Sequence, residues 1–218
     1  MCGRFAIYSS VQSIIDYAKA LSEIDSFEPN YNAAPEQNIP IILKENGRKI
    51  LKLFRWGLIP FWAKKGKIGY KLINAKAETI AEKPSFKYAF QKRRCLIPAN
   101  GFYEWDKDKQ PFYFHLKEQN LFSFAGIWDK WKSPEGREVY TCCIITTTPN
   151  KQVQKIHNRM PVILEEEDEQ KWLNNELFSK VQLLSLLRPI SSDKIVLSKV
   201  SKEVNSIKNN YKELLLLS

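Results

Sequence analysis

The sequence predicts an α+β fold, with mainly antiparallel sheets curled into a barrel-like core and helices at the periphery. Two observations carry this prediction. The middle of the chain alternates short runs of aromatic and β-branched residues with turns rich in Lys, Asp, Asn, Pro and Gly. Helical periodicity is confined to segments near the two ends. Because so many short strands would leave exposed edges in an open sheet, we expect the sheets to curl or close.

Local signals place the elements in order. Ser9-Ser10 precedes apolar residues at helical spacing between Val11 and Leu21, which predicts a capped amphipathic helix. Asn46-Gly47 lies between β-rich runs at 38–43 and 49–56 and predicts a hairpin. The same patterns predict strands at 94–97, 101–105, 112–116, 121–128 and 138–147, and helices at 165–174, 177–187 and 201–209.

Three shorter segments complete the prediction. Residues 31–35 are expected to form a turn, and residues 72–78 an apolar strand with a polar end. The apolar residues 214–217 are expected to dock on the core.

Composition predicts one domain over residues 1–218, because 44% hydrophobic residues supply a single well-packed core. No apolar run approaches the length of a membrane span, and the charged start lacks the apolar region of a signal peptide. We therefore expect a soluble, cytoplasmic, monomeric protein without a membrane partner, and a nucleoid-associated one if the source is bacterial. The four cysteines form no CxxC pair and no framework spacing, so we expect no disulfide, no metal and no cofactor.

The charge balance indicates a polyanionic partner. The chain has 34 Lys and Arg against 24 Asp and Glu, a formal net charge of +10. The alternative is an ordinary lysine-rich cytosolic protein, which charge alone does not exclude.

Cys2 is the most informative residue. Removal of Met1 would leave it at the N-terminus, with an amine and a thiol on neighbouring carbons. Such a residue forms an imine with an aldehyde and then closes it into a thiazolidine ring, and both groups have a reactive fraction at neutral pH. The alternative is a cysteine buried beside a first strand.

Three other residues have the side chains that a reactive site needs. Asn74 could orient a substrate oxygen or cap a helix. Glu104 lies in an aromatic strand, where burial would raise the pKa of its carboxyl group and suit it to acid and base catalysis; otherwise it faces water. His157 has a basic neighbour, Arg159, whereas His115 lies within a predicted strand and is interpreted as structural.

Several motifs together make the chain similar to one family. They are MCGRF, YNAAP, WGLIPFW, NAKAE, RRCLIPANGFYEW, GIW, TTTPN and IHNRMP, in that order. This combination resembles the SRAP (SOS response-associated peptidase) family over about residues 2 to 165, with looser agreement to about 205.

The resemblance implies a sensor and covalent shield for abasic sites in single-stranded DNA. It implies that Cys2 forms the thiazolidine, that Asn74 holds the opened sugar, and that Glu104 and His157 move protons. It also implies phosphate contacts for Arg4, Lys76 and Arg159. The other residues expected to bind DNA are Asn32, Pro35, Phe61 and Trp62. Lys76 departs from the family pattern, in which Arg is common, and loses bidentate phosphate geometry.

The segment 56–71 fits this implication, because Phe61 and Trp62 lie among lysines, as in platforms on which bases stack. Its alternative is a lysine-rich loop over a buried Trp.

Two other functions remain open. One is a thiol peptidase with Cys2 as nucleophile. Its activity could be limited to releasing its own Met1, or it could hydrolyse other proteins. The other is a nucleic-acid-binding module without catalysis, for which Cys2 would be dispensable.

Overall fold

The computed structural model describes residues 2–175 and 179–216. Its helices are α1 (Val11–Ala18), α2 (Lys87–Lys92), α3 (Glu166–Leu173) and α4 (Lys180–Ser185). Its strands are β1 (Arg4–Ile7), β2 (Leu21–Ser22), β3 (Asn30–Ala33), β4 (Asn38–Glu45), β5 (Arg48–Trp56), β6 (Asn74–Lys76), β7 (Arg94–Ala99), β8 (Gly101–Trp105), β9 (Pro111–Leu116), β10 (Phe122–Lys132), β11 (Glu138–Thr147), β12 (Met160–Pro161), β13 (Ile163–Leu164) and β14 (Ile195–Lys199).

Five strands close into a barrel. Antiparallel pairing joins β11 to β10, β10 to β7, β7 to β4 and β4 to β5, and a parallel pairing of β5 with β11 completes the ring. The closing pairs are Arg55 with Thr141 and Trp56 with Cys142. Closure removes the exposed edges that an open sheet of these strands would have, and the predicted α+β class with a barrel-like core is confirmed.

A second sheet packs against the barrel. Its strand order is β14-β9-β8-β1-β3, and all its pairings are antiparallel. The Phe5 ring from β1 meets Trp56 and Phe124 of the barrel edge to face, at centroid distances of 5.2 and 5.8 Å. This contact fixes the start of β1, and therefore Cys2, against the barrel.

The two sheets are connected through Gly101, where β7 passes into β8. A Cβ atom at this position would overlap the ring of Tyr113. The absence of a side chain therefore allows Tyr113 to cross the strand.

The hairpin prediction is confirmed, since Asn46 and Gly47 both have positive φ angles between β4 and β5, as a two-residue hairpin turn requires. The predicted turn at 31–35 is wrong in part, because β3 extends to Ala33 and the turn begins only at Pro35. Of the strand predicted at 72–78, only Asn74–Lys76 forms a strand, β6. The residues just before the predicted range, 66–71, form a 3₁₀ helix.

The first helix ends at Ala18, since Lys19 adopts a left-handed conformation and Leu21 enters β2. Only a 3₁₀ turn, Lys202–Asn205, occurs within the helix predicted at 201–209. The helix predicted at 177–187 appears as α4. Residues 177 and 178 of that prediction, and residue 217 of the apolar segment 214–217, lie outside the described residues. Neither α2 nor β14 is among the elements predicted from the sequence.

No helix in the described ranges is long and apolar enough to cross a membrane. The four cysteines are buried and none is in a disulfide.

Candidate active site

Cys2 lies just before β1 and is fully buried. The side-chain amide of Asn74 donates a hydrogen bond to its carbonyl oxygen at 2.8 Å. Asn74 reaches this position because β6 pairs in parallel with the end of β11, opposite Ile144. It begins a strand, so the alternative of a helix cap is wrong.

The oxygen of the Asn74 amide is left for another partner. Oδ1 is buried and has no hydrogen-bond partner among the residues that the structure describes. Buried polar atoms are nearly always paired in folded proteins. An acceptor without a partner beside Cys2 therefore marks a position where a bound hydroxyl group would be stabilised.

Glu104 enters the same region from β8. Its neighbour Tyr103 pairs with Arg4 of β1, which brings Glu104 to the level of the first residues of the chain. The side chain is buried, and burial raises the pKa of the carboxyl group to about 7. Glu104 is therefore divided between its acid and base forms at neutral pH.

His157 lies next to Glu104, with 3.9 Å between Nδ1 and Oε1. The same Nδ1 lies within hydrogen-bond distance of the backbone N–H of Arg159, at 3.0 Å, and of its carbonyl oxygen, at 3.2 Å, so that its role as acceptor or donor depends on the tautomer. Burial, together with the positive charge of Arg159, lowers the pKa of His157. The imidazole is therefore a neutral proton acceptor near pH 7.

The thiol of Cys2 shares this environment. Burial raises its pKa, and the negative charge of Glu104 raises it further. The sulfur consequently stays protonated until a base removes its proton.

The folding of β11 brings these groups together. Its last residues pair with β6, which begins at Asn74, and with β12, which follows His157. His115, in contrast, lies on β9 opposite Val196 and contacts the Leu116 carbonyl through Nδ1. That position agrees with its interpretation as structural.

Two of the expected DNA-binding residues are tied to a distant part of the chain. Arg4 donates to Oδ1 of Asn32 at 2.8 Å and to the carbonyl oxygens of Val204 and Asn205 at 2.9 and 3.3 Å. The buried Asn32 amide donates to the carbonyls of Val204, Ser206 and Asn209. Because these partners are uncharged, they orient the Arg4 guanidinium without neutralising it.

Arg159 has a different environment. Its guanidinium binds Glu78 through both nitrogens, at 2.6 and 3.0 Å, and also the Thr146 carbonyl at 2.6 Å. The hydrogen bond from Arg159 lowers the pKa of Glu78. A carboxylate therefore occupies the bidentate face of Arg159, while its buried Nε has no hydrogen-bond partner within the described residues.

The remaining expected residues lie around this centre. Lys76 is exposed at the end of β6, and Pro35 is half-buried in the turn after β3. Phe61 and Trp62 are each 49% exposed. Their loop begins and ends beside Asn74, because Trp56 donates through Nε1 to the Ile73 carbonyl at 2.9 Å.

Sequence reasoning missed Glu78 as a partner of Arg159. Glu78 lies in the NAKAE motif, but only the pairing of β6 with β11 brings it to Arg159, 81 residues later. In the described residues, no group of three or more His, Cys, Asp or Glu side chains is placed to hold a metal ion.

The fold and the site define a class of small α+β proteins with a closed five-stranded barrel and a buried cysteine just before the first strand of the second sheet. The sequence profile of the family described as "SOS response associated peptidase (SRAP)" matches residues 1–207. The chain belongs to the SRAP family.

Individual relatives agree with this assignment. The chain is 48% identical to the Bacillus subtilis protein named abasic site processing protein YoqW, with 99% of each chain covered. It is 33% identical to abasic site processing protein HMCES of Xenopus tropicalis, over 87% of this chain and 66% of that protein. A crystal structure of a Bacteroides thetaiotaomicron protein superposes with a TM-score of 0.90 at 30% identity, covering 100% of both chains.

Proposed function

We propose that this protein processes abasic sites by capturing them covalently in single-stranded DNA, through the amine and thiol of Cys2 after Met1 is removed. The observation that carries the proposal is the hydrogen bond from Asn74 to Cys2, which leaves the buried Asn74 Oδ1 without a partner in the part of the chain that the structure describes. The names of the YoqW and HMCES relatives support the same substrate class.

The chemistry balances without a cofactor. The abasic sugar opens to its aldehyde, and the Cys2 amine adds to C1′ and expels water to form an imine. The thiol then adds across the C=N bond, so that a C–S bond forms and the thiol proton ends on nitrogen. The product is a five-membered thiazolidine.

Glu104 is suited to the proton transfers. With a pKa of about 7, its carboxyl group can protonate the ring oxygen when the sugar opens and the hydroxyl group that leaves as water. The carboxylate can then accept the thiol proton on its way to the nitrogen. His157 serves as a second acid or base, and the free acceptor of Asn74 binds a sugar hydroxyl. Because the thiol reacts within an already attached imine, proximity compensates for its high pKa.

Arg4, Lys76 and Arg159 surround this centre and supply the phosphate contacts of the proposal. Arg4 is oriented by uncharged partners, whereas Arg159 must exchange Glu78 for phosphate. Asn32 contributes by holding Arg4, and Pro35, Phe61 and Trp62 provide apolar surface for the sugar and bases.

The thiol peptidase alternative has less support. Such enzymes attack with a thiolate, and both burial and Glu104 raise the pKa of Cys2. In the amine-first route the thiol reacts second, so its high pKa is tolerated. Removal of the protein's own Met1 remains compatible with either chemistry.

The decisive experiment compares two forms of the protein, one with Met1 removed and one with Cys2 blocked by a short N-terminal extension. Each is incubated with single strands that contain an abasic site or a tetrahydrofuran analogue without an aldehyde, and intact masses are measured. We expect a DNA-sized mass gain, less one water, only for the free amine with the abasic strand. An adduct of the blocked form would contradict the proposal, since imine formation requires the amine.

A further inference from the structure

Phe61, an exposed ring of the proposed DNA surface, is paired with a second exposed ring that the site described so far does not use. Phe61, in the loop after β5, and Tyr88, on α2, lie with ring centroids 5.1 Å apart and planes tilted by 58°. They are 49% and 42% exposed. Large aromatic side chains that are paired and exposed together indicate a surface that meets a partner.

A buried ion pair lies beneath the rings. The Asp129 carboxylate accepts a hydrogen bond from the backbone N–H of Phe61 at 2.9 Å and is paired with the Arg93 guanidinium. That guanidinium lies over the ring of Tyr88, 5.1 Å from its centroid, and over Trp128 at 5.4 Å. The same two charges therefore contact both members of the pair.

The loop that carries Phe61 is also held from its other side. The hydroxyl of Thr141 accepts from the N–H of Ile59 at 2.9 Å, and Nε1 of Trp131 donates to the Ala63 carbonyl at 2.6 Å. These hydrogen bonds fix the backbone on both sides of Phe61. The ring is thus presented to solvent by a defined structure.

The surroundings are cationic. Lys64 and Lys65 of the loop and Lys87 and Lys92 of α2 are exposed, whereas the neighbouring Asp129 is buried and paired. Rings bordered by cations match single-stranded nucleic acid, in which bases stack and phosphates bind the charges. The tilt between the rings suits bases of a strand that bends between them.

We propose that Phe61 and Tyr88 form a two-ring stacking site for bases that flank the reactive nucleotide, and that the Asp129–Arg93 ion pair positions both rings. This inference rests on the proposed function and adds residues of α2 to it. Tyr88 contacts the strand directly, whereas Asp129 and Arg93 act through the rings.

The test measures the affinity of intact oligothymidylates of increasing length for the wild type, Tyr88→Ala and Tyr88→Phe by fluorescence anisotropy. The matched control is Tyr140→Ala, because Tyr140 is 37% exposed but contacts Phe54 and Trp128 instead of Phe61. Base stacking on one ring is worth about 5- to 150-fold in affinity. We expect a loss of that size for Tyr88→Ala on long strands and wild-type affinity for Tyr88→Phe and Tyr140→Ala. Equal affinities of Tyr88→Ala and Tyr140→Ala would overturn the stacking site.

Asp129→Asn tests the positioning role. The amide oxygen can still accept from Phe61, but the charge that holds Arg93 is lost. We expect reduced affinity for long strands while short strands bind as in the wild type, a length dependence that general destabilisation would not produce. A loss of thermal stability with unchanged affinity at every length would show that the ion pair is only structural.

A third measurement separates this inference from the proposed function. Adduct formation is followed on 2-deoxyribose 5-phosphate, an abasic nucleotide that has no flanking base. The wild type and Tyr88→Ala should react equally on it. If the wild type forms no adduct, the proposed function fails; if Tyr88→Ala alone fails on this substrate, the ring pair does not act through flanking bases.

Discussion

Nδ1 of His157 lies 3.9 Å from Oε1 of Glu104, and burial moves their pKa values in opposite directions. The pKa of the carboxyl group is raised to about 7, and the pKa of the imidazole is lowered from 6.5. Both shifts favour the uncharged form, so that a carboxylic acid lies beside a neutral imidazole. Such a pair can supply a proton in one step and remove it in another.

Glu104→Gln should slow adduct formation with little loss of DNA binding, since the amide keeps the shape but cannot transfer a proton. General acid–base assistance is typically worth about 10²- to 10⁴-fold. The rate is measured by quenched time courses with abasic single strands. Wild-type kinetics in this variant would make Glu104 a structural residue.

The same substitution should change how stability depends on pH. The folded-state pKa of Glu104 lies above its ordinary value of 4.5, so the folded protein binds more protons than the unfolded chain between pH 4.5 and about 7. The stability of the wild type therefore falls as pH rises through this window. Urea unfolding at pH 5 and pH 8 should show that Glu104→Gln gains stability relative to the wild type at the higher pH; a pH-independent difference would contradict the shift.

Cys2→Ala should abolish the adduct and leave noncovalent binding of single strands nearly unchanged, because phosphate and stacking contacts lie elsewhere. Denaturing gels measure the first effect and anisotropy the second. Full crosslinking by the variant would exclude the thiazolidine.

Noncovalent binding should weaken steeply with salt. Each phosphate neutralised on a single strand contributes a slope of about −0.7 to the logarithmic plot. A titration that is flat in salt would remove the electrostatic basis of binding.

Glu78→Gln should raise the affinity for single-stranded DNA, because the phosphate then loses Glu78 as a competitor for Arg159. Unchanged affinity in this variant would place Arg159 outside the phosphate contacts.

Gly101→Ala should destabilise the protein without altering the chemistry of the site. The added methyl group overlaps the Tyr113 ring, and overpacking typically costs about 1–3 kcal/mol. Denaturant unfolding measures the loss of stability. Gly47→Ala is the comparison variant, because its added methyl group meets no neighbour and its cost comes only from the positive φ angle. Equal stability of Gly101→Ala and the wild type would contradict the crowding.

Local patterns predicted two of the strands to the residue. The segments 101–105 and 138–147 coincide with β8 and β11, because turn residues bound them on both sides. The six residues of α2 contain too little periodicity to be recognised, and β6 is defined by pairing with β11, about seventy residues away.

The partners of the candidate site residues were harder to predict. The motifs identified Arg4, Asn32 and Arg159 as candidate residues. They did not identify the groups that hold the two guanidinium groups, which are the carbonyls of Val204 and Asn205 and the carboxylate of Glu78. These contacts join residues 81 to 201 positions apart. Only the assembled tertiary structure determines them.

The bonds from Arg4 to Val204 and Asn205 also impose an order on biosynthesis. Arg4 is translated 200 residues before the first of these partners, an interval of about 10–40 s at typical elongation rates. Throughout that interval the nascent N-terminus lacks the contacts of Arg4 with Val204 and Asn205. We therefore expect the initiator methionine to be accessible to a processing enzyme during synthesis, before Cys2 is enclosed.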